Sequence, residues 1–361
     1  MITLGSLGFS PFFSSQLASF DDGDELIPAR VVSDQRGQFE VLGERAHTAT
    51  LSGRLRHESE HEALPVTGDW VAIRAQEDGR AVIHHVLERR TVLRRKSAGK
   101  TARSQVLAAN VDTFFVVTTA TDELNVRRIE RFLAAIYSGG ATPVIVLNKI
   151  DLAQDRDAIE AMVRSIRAVA RDVEVVAVSA KEATGIDSLS PWLVPASTVA
   201  LVGSSGVGKS SLINRLLQTE AQRASAIAED GRGRHTTTGR SLHRLSSGAW
   251  LMDTPGLREF AVVDDDDGAG IRAVFSDIDA LASECHFRDC THHSEPGCAV
   301  IAAVEDGRLS EERLESLHKL EREARALAAK HDRAAAVQQK RRFKEIARSI
   351  RSIERTKRRD D

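Results

Sequence analysis

Residues 203–210, Gly203-Ser204-Ser205-Gly206-Val207-Gly208-Lys209-Ser210, carry the spacing that wraps a polyphosphate. Glycines let backbone N–H groups close on phosphate oxygens, and a helix N-terminus adds its dipole. Lys209 reaches the β and γ phosphates, and Ser210 offers a hydroxyl to magnesium. The context agrees: the apolar run 199–202 reads as a preceding strand, and Ser211 opens a run to 217 with helical spacing.

Asn148-Lys149-Ile150-Asp151 closes another apolar run, at 144–147, where ligands of open α/β sheets bind. A carboxylate such as Asp151 accepts from both N1–H and the exocyclic amine of guanine, a donor pair that adenine lacks. Asn148 suits N7, and the Lys149 stem covers the base. Ser179-Ala180-Lys181, after a further strand-like run, completes a guanine-reading set. Asp253-Thr254-Pro255-Gly256 ends the apolar run 249–252; its aspartate would hold magnesium through water and its Gly256 N–H would meet a γ phosphate. A switch threonine lies among Thr236, Thr237 and Thr238, with Thr237 or Thr238 the magnesium candidates. In an ordinary GTPase the phosphate loop leads and the guanine-reading motifs close the domain. Here they come first, so the chain reads as a circularly permuted GTPase.

Where Ras-like enzymes place a water-orienting Gln shortly after the aspartate motif, Leu257 follows Gly256 directly. An apolar side chain cannot orient a nucleophile, so intrinsic hydrolysis should be slow. His235, in the run Gly231-Arg232-Gly233-Arg234-His235, is the nearest candidate catalytic group beside Lys209; a loop histidine is otherwise usually solvated. The three cysteines, Cys285, Cys290 and Cys298, fall within fourteen residues. With His292 they supply three thiolates and an imidazole, the set for a closed tetrahedral zinc site, although His286 or His293 could replace His292. A clustered, odd number of cysteines without an export signal favours metal in a reducing compartment over disulfides.

Other elements must position these groups. The chain of 361 residues has room for two or three domains, with a net charge of −2. Five short alternating runs between 29 and 86, separated by Gly or polar turns, predict a small closed barrel, either an OB-fold or an SH3-like barrel. From 113 the texture becomes buried parallel strands with helices at 126–137 and 157–170, a doubly wound α/β layer. After 263 the chain reads as helical, with a long charged helix or helix pair from 311. Basic residues crowd two stretches, Arg89, Arg90, Arg94, Arg95, Lys96, Lys100 and Arg103, and then 340–359. Neither a signal peptide nor a membrane span is legible at the N-terminus.

The barrel, the permuted motif order, the run from Gly231 through Arg234, His235 and Thr236 to Thr238, and the C-x4-C-x-H-x5-C cluster together resemble the ribosome small subunit-dependent GTPase family known as RsgA or YjeQ. The resemblance spans nearly the whole chain from Ala29. It implies a multidomain fold: an N-terminal extension (1–28), an all-β OB-fold domain (29–98), a central α/β circularly permuted P-loop GTPase (99–262) and a C-terminal α-helical zinc-binding domain with a basic tail (263–361). It also implies a cytoplasmic, monomeric late maturation factor of the 30S ribosomal subunit, which binds 16S rRNA and is stimulated by the subunit. It implies magnesium with GTP, one zinc ion on Cys285, Cys290, His292 and Cys298, and His235 acting on the water. The acidic insert 264–267 and the basic tail depart from the family signature. A permuted GTPase acting on a non-ribosomal protein and an ATP-using P-loop enzyme are the alternatives. The guanine-reading motif disfavours the second, and the barrel with its basic flanks disfavours the first.

Overall fold

The computed structural model describes residues 2–20, 26–35, 37–58, 63–96, 104–121, 124–225, 240–253, 268–326 and 328–329. His235, Thr236, Thr237, Thr238, Gly256, Leu257, the acidic insert and the tail 340–359 lie outside them.

The alternating runs become β1 (Ile27–Gln35), β2 (Gln38–Leu42), β3 (Ala46–Leu51), β4 (Trp70–Ala75) and β5 (Arg80–Val86), with α2 (Gly53–Glu58) between β3 and β4. β1, β2 and β3 form antiparallel hairpins, β5 joins β3 in parallel, and β4 closes the ring against β5 and β1. A barrel of consecutive antiparallel hairpins has no such parallel pair, so this order decides for the OB-fold. Alternate residues Ala29, Val31, Phe39, Val41, Ala49, Val71, Ile73 and Ile83 point inward and fill it.

The second layer is the nucleotide-binding type. Its strands run in the order β10 (Val175–Ala177), β9 (Thr142–Asn148), β8 (Thr113–Thr119), β11 (Thr198–Val202), β13 (Trp250–Asp253) and β12 (Arg240–Arg244). All neighbours are parallel except β12 with β13. β8 and β11 are buried at every residue, as a sheet covered on both faces requires. α3 (Val126–Ser138) and α4 (Arg156–Val169) start on side-chain caps, Asn125 accepting from the Arg128 N–H and Asp155 from the Ala158 N–H. α5 (Lys209–Ser225) follows the phosphate loop.

Two unions were not legible in the sequence. β1 of the barrel pairs with β12, Ser33 opposite Ser241 and Asp34 opposite Arg240, so the barrel sheet and the nucleotide sheet are one. The N-terminal segment folds into α1 (Pro11–Leu17), which sends Phe13 onto Trp70, while the Trp250 indole N–H donates to the Ser6 carbonyl at 2.9 Å. Arg30 joins all three parts from a fully buried position. Its guanidinium donates to the carbonyls of Leu7 at 2.7 Å and Asn110 at 3.1 Å, and to the Thr198 hydroxyl at 2.8 Å. Burial pulls its pKa down to about 10, against the attraction of Asp112, which leaves it a cation at neutral pH.

The basic stretch at 89–103 is also partly spent on the fold. β6 (Val92–Lys96) and β7 (Ser104–Ala109) form a hairpin. Arg89 pairs at 2.8 Å with the fully buried Asp69, and Arg90 pairs with Asp112. Arg90 thus ties the end of the barrel to the approach to β8, while Arg89 is spent inside the barrel segment on Asp69.

After residue 268 the chain is helical: α6 (Ala269–Val274), α7 (Ser276–Ala282), α8 (Ala299–Glu305) and a helix over 311–326. α6 lies hard against α3: a Cβ on Gly270 would sit 2.1 Å from the Ala134 carbonyl oxygen. Arg313 locks the contact, donating to Glu130 at 2.6 Å, to Asp277 at 3.0 Å and to the Val274 carbonyl, with its guanidinium 4.2 Å over the Phe275 ring. Among the described residues no helix is long and apolar enough to cross a membrane.

Candidate nucleotide site and metal centre

The phosphate loop leaves β11 and turns into α5, as the sequence predicts. Gly203, Gly206 and Gly208 all have positive φ, at 148°, 81° and 94°. At Gly208 the need is steric as well, since a Cβ would meet the Asn148 amide nitrogen at 2.3 Å. Lys209 rests its ammonium on the carbonyls of Gly203, at 2.7 Å, and Ser204. Ser205, Gly206, Ser210 and Ser211 are exposed along the loop and the start of α5.

Asn148 closes the site from the next strand but one. Its amide nitrogen donates to the Val207 carbonyl at 2.9 Å and its amide oxygen accepts from the Ala180 N–H at 3.0 Å. One buried side chain thus ties together the phosphate loop and both guanine-reading loops. Asp151 accepts from the Ser179 hydroxyl at 2.5 Å, and the same hydroxyl accepts from the Glu182 N–H at 3.0 Å. Lys149 holds φ at 64°, a left-handed turn that ends the strand and starts the short helical turn Ile150–Leu152. Arg215 of α5 holds the loop from below, donating to the carbonyls of Ala180 at 3.0 Å and Lys181 at 2.9 Å. Sequence reasoning missed Arg215 because its partners lie about 35 residues away, with no motif to link them.

Asp253 ends β13, which runs parallel to β11 with Ala200 opposite Met252, so its backbone comes level with the end of β11, beside the root of the phosphate loop. It pairs across the hairpin with Ser241, whose hydroxyl lies 2.9 Å from His243 Nε2. Burial lowers the His243 pKa, opposed by Asp253.

The cysteine cluster folds between α7 and α8. The ligand atoms of Cys285, Cys290, His292 and Cys298 all lie within 4.8 Å of one another. Sulfur atoms about 2.3 Å from a tetrahedral zinc would stand about 3.8 Å apart. Cys285 and Cys298 are 3.8 Å apart, and His292 Nδ1 lies 3.7 Å and 3.4 Å from their sulfurs. The donor set therefore fits one metal ion. Of the three histidines, His292 is the one whose ring nitrogen lies among the sulfurs, on a backbone at φ 58°, while His293 Nδ1 lies 2.8 Å from the Thr291 carbonyl and its ring stacks on His318. His286 packs edge-on against Phe287.

Comparison with known proteins agrees with this geometry. The RsgA GTPase family matches residues 86–263, and the family described as 50S ribosome-binding GTPase matches 198–354. A protein of Opitutus terrae named small ribosomal subunit biogenesis GTPase RsgA is 44% identical, across 98% of this chain and 98% of its own length. One of the same name from Methanosarcina acetivorans is 45% identical over 90% of this chain and 86% of its own. Among solved structures, YjeQ from Thermotoga maritima superposes with a TM-score of 0.63 at 29% identity, covering 83% of this chain and 99% of that one. YloQ, described as a circularly permuted GTPase, gives 0.61 at 25% identity, covering 85% and 98%.

Proposed function

Since the chain belongs to the RsgA GTPase family and is a GTP-hydrolysing enzyme, we propose that it is a late maturation factor of the small (30S) ribosomal subunit, bound to 16S rRNA and stimulated by the subunit. The observation that carries the reading is one continuous sheet joining an OB barrel to a permuted GTPase site, because such barrels commonly bind oligonucleotides. The relatives that align along most of the chain carry small-subunit names, whereas the match to the 50S-binding family is confined to 198–354.

In this reading Asp151 and Asn148 read the guanine edge, Lys149 covers the base, and Ser179, Ala180 and Lys181 line the base pocket. The N–H groups of 203–211 and Lys209 hold the phosphates. Ser210, Thr237 or Thr238, and Asp253 through water would hold magnesium, which would neutralise charge developing on the β and γ phosphates. Gly256 senses the γ phosphate and His235 orients the water. The metal on Cys285, Cys290, His292 and Cys298 is zinc in a structural role, with all four positions filled by protein. The division at 1–28, 29–98, 99–262 and 263–361 remains our proposal for the domains, as do a monomeric state and a cytoplasmic location.

The test is GTP turnover with and without purified 30S subunits. Strong stimulation is expected, and His235→Ala should abolish most of it while GTP affinity hardly changes, as for an interaction made in the transition state. Turnover indifferent to the subunit would overturn the assignment.

A further inference from the structure

α3 carries three neighbouring arginines with different fates. Arg127 and Arg131 reach toward the C-terminal helix, donating to Glu315 at 3.5 Å and to Glu323 at 2.5 Å. Arg128 points the other way and donates from Nη1 to the Ser204 hydroxyl at 2.7 Å. Among the described residues no carboxylate pairs with it. Helical spacing explains the split: Asn125, Arg128, Ile129 and Phe132 share one face, which with Ser204 and Ser205 lines a cavity of about 350 Å³ beside the phosphate loop.

Two cations therefore meet at Ser204. Lys209 lies on its carbonyl and on that of Gly203, and Arg128 lies on its hydroxyl. The loop N–H groups and helix N-terminus already serve the inner phosphates, and the loop lysine reaches the β and γ groups. A guanidinium resting on the same residue as that ammonium, exposed and, among the described residues, holding only a neutral acceptor, adds positive charge beside the loop. Its planar fork suits two phosphate oxygens at once, a geometry the lysine lacks.

Resting on the nucleotide-site reading above, we propose that Arg128 exchanges the Ser204 hydroxyl for the γ phosphate and so sets the preference for GTP over GDP. The residue comes from outside every nucleotide motif of the sequence. Its helix is the one to which the C-terminal module is fastened through Glu130 and Arg313.

The test is equilibrium binding of GTP, in a slowly hydrolysed form, and of GDP to the full-length protein and to Arg128→Gln and Arg128→Lys. Losing one charge-assisted contact should weaken the triphosphate about tenfold in Arg128→Gln and the diphosphate less than about twofold. Arg128→Lys should recover part of the difference, since the charge returns without the fork. Equal losses for the two nucleotides, or none, would overturn the proposal and leave Arg128 as a prop for the loop. A parent protein that binds neither nucleotide would overturn the underlying reading itself, so the two failures are distinguishable.

Discussion

Asn148 shapes the site before any ligand arrives. Its side chain is buried and bridges the Val207 carbonyl and the Ala180 N–H. Asn148→Ala would strand both backbone groups, at a cost of about 1–3 kcal/mol each. Urea unfolding should register that loss even without nucleotide, and an unchanged midpoint would deny the bridging role. Asp151 is the opposite case, exposed and, among the described residues, held only by the Ser179 hydroxyl. Asp151→Asn should leave stability nearly intact and erase the preference for GTP over ATP, because the amide presents a donor where guanine also donates. The affinity ratio for the two nucleotides measures it, and an unchanged ratio would reject the assignment. Both residues were legible in the sequence because a nucleotide motif packs its chemistry into adjacent positions. Arg128 and Arg30 were not, since their partners Ser204 and Thr198 stand 76 and 168 residues away. A contact of that kind leaves no local spacing to read.

At the scale of elements, the strands of the nucleotide sheet and barrel were readable because burial on both faces, or on one, imposes continuous or alternating apolar runs. The docking of the C-terminal helices on α3 was not, because it depends on a glycine, Gly270, and on one buried ion pair. Cys298, Val300, Leu317 and Leu320 share a hydrophobic core with Phe132 and Leu133 of α3. The metal loop is thus a patch on a module already fastened elsewhere. Cys290→Ser should remove the metal and loosen 285–298, seen as faster amide exchange there, while GTP affinity changes less than about twofold. Arg313→Ala should be the more damaging variant. It leaves Glu130, whose pKa burial raises against the pull of Ser316 and Arg313, without its partner, and breaking such a buried pair costs about 3–5 kcal/mol. Thermal unfolding of the two variants should rank them in that order, and the reverse ranking would make the metal the principal fastening.

For the whole molecule the decisive feature is that the barrel and the nucleotide sheet share a strand edge. β12 lies between the segment carrying Thr236 to Thr238 and the strand ending in Asp253, and β1 of the barrel pairs with it directly. On the proposed function, a load on the barrel would act through β12 on the strand that ends in Asp253, a route by which subunit binding would reach hydrolysis without touching the nucleotide. The basic residues of 89–103 then divide into two kinds. Arg89 and Arg90 are ion-paired with Asp69 and Asp112, and Arg94, Arg95 and Lys96 belong to β6 of the β6–β7 hairpin. Phosphate contacts release counterions, so binding to the small subunit should weaken as salt rises. Each of Arg94, Arg95 and Lys96 that meets a phosphate should lower the slope of log affinity against log salt by roughly one when neutralised. Arg89→Gln should instead leave the slope unchanged and lower the melting temperature, because it uncovers the buried carboxylate of Asp69. Titrating subunit binding at several salt concentrations with the triple variant and with Arg89→Gln separates the two kinds; a slope shared by parent and triple variant would place the rRNA contacts on another face of the molecule.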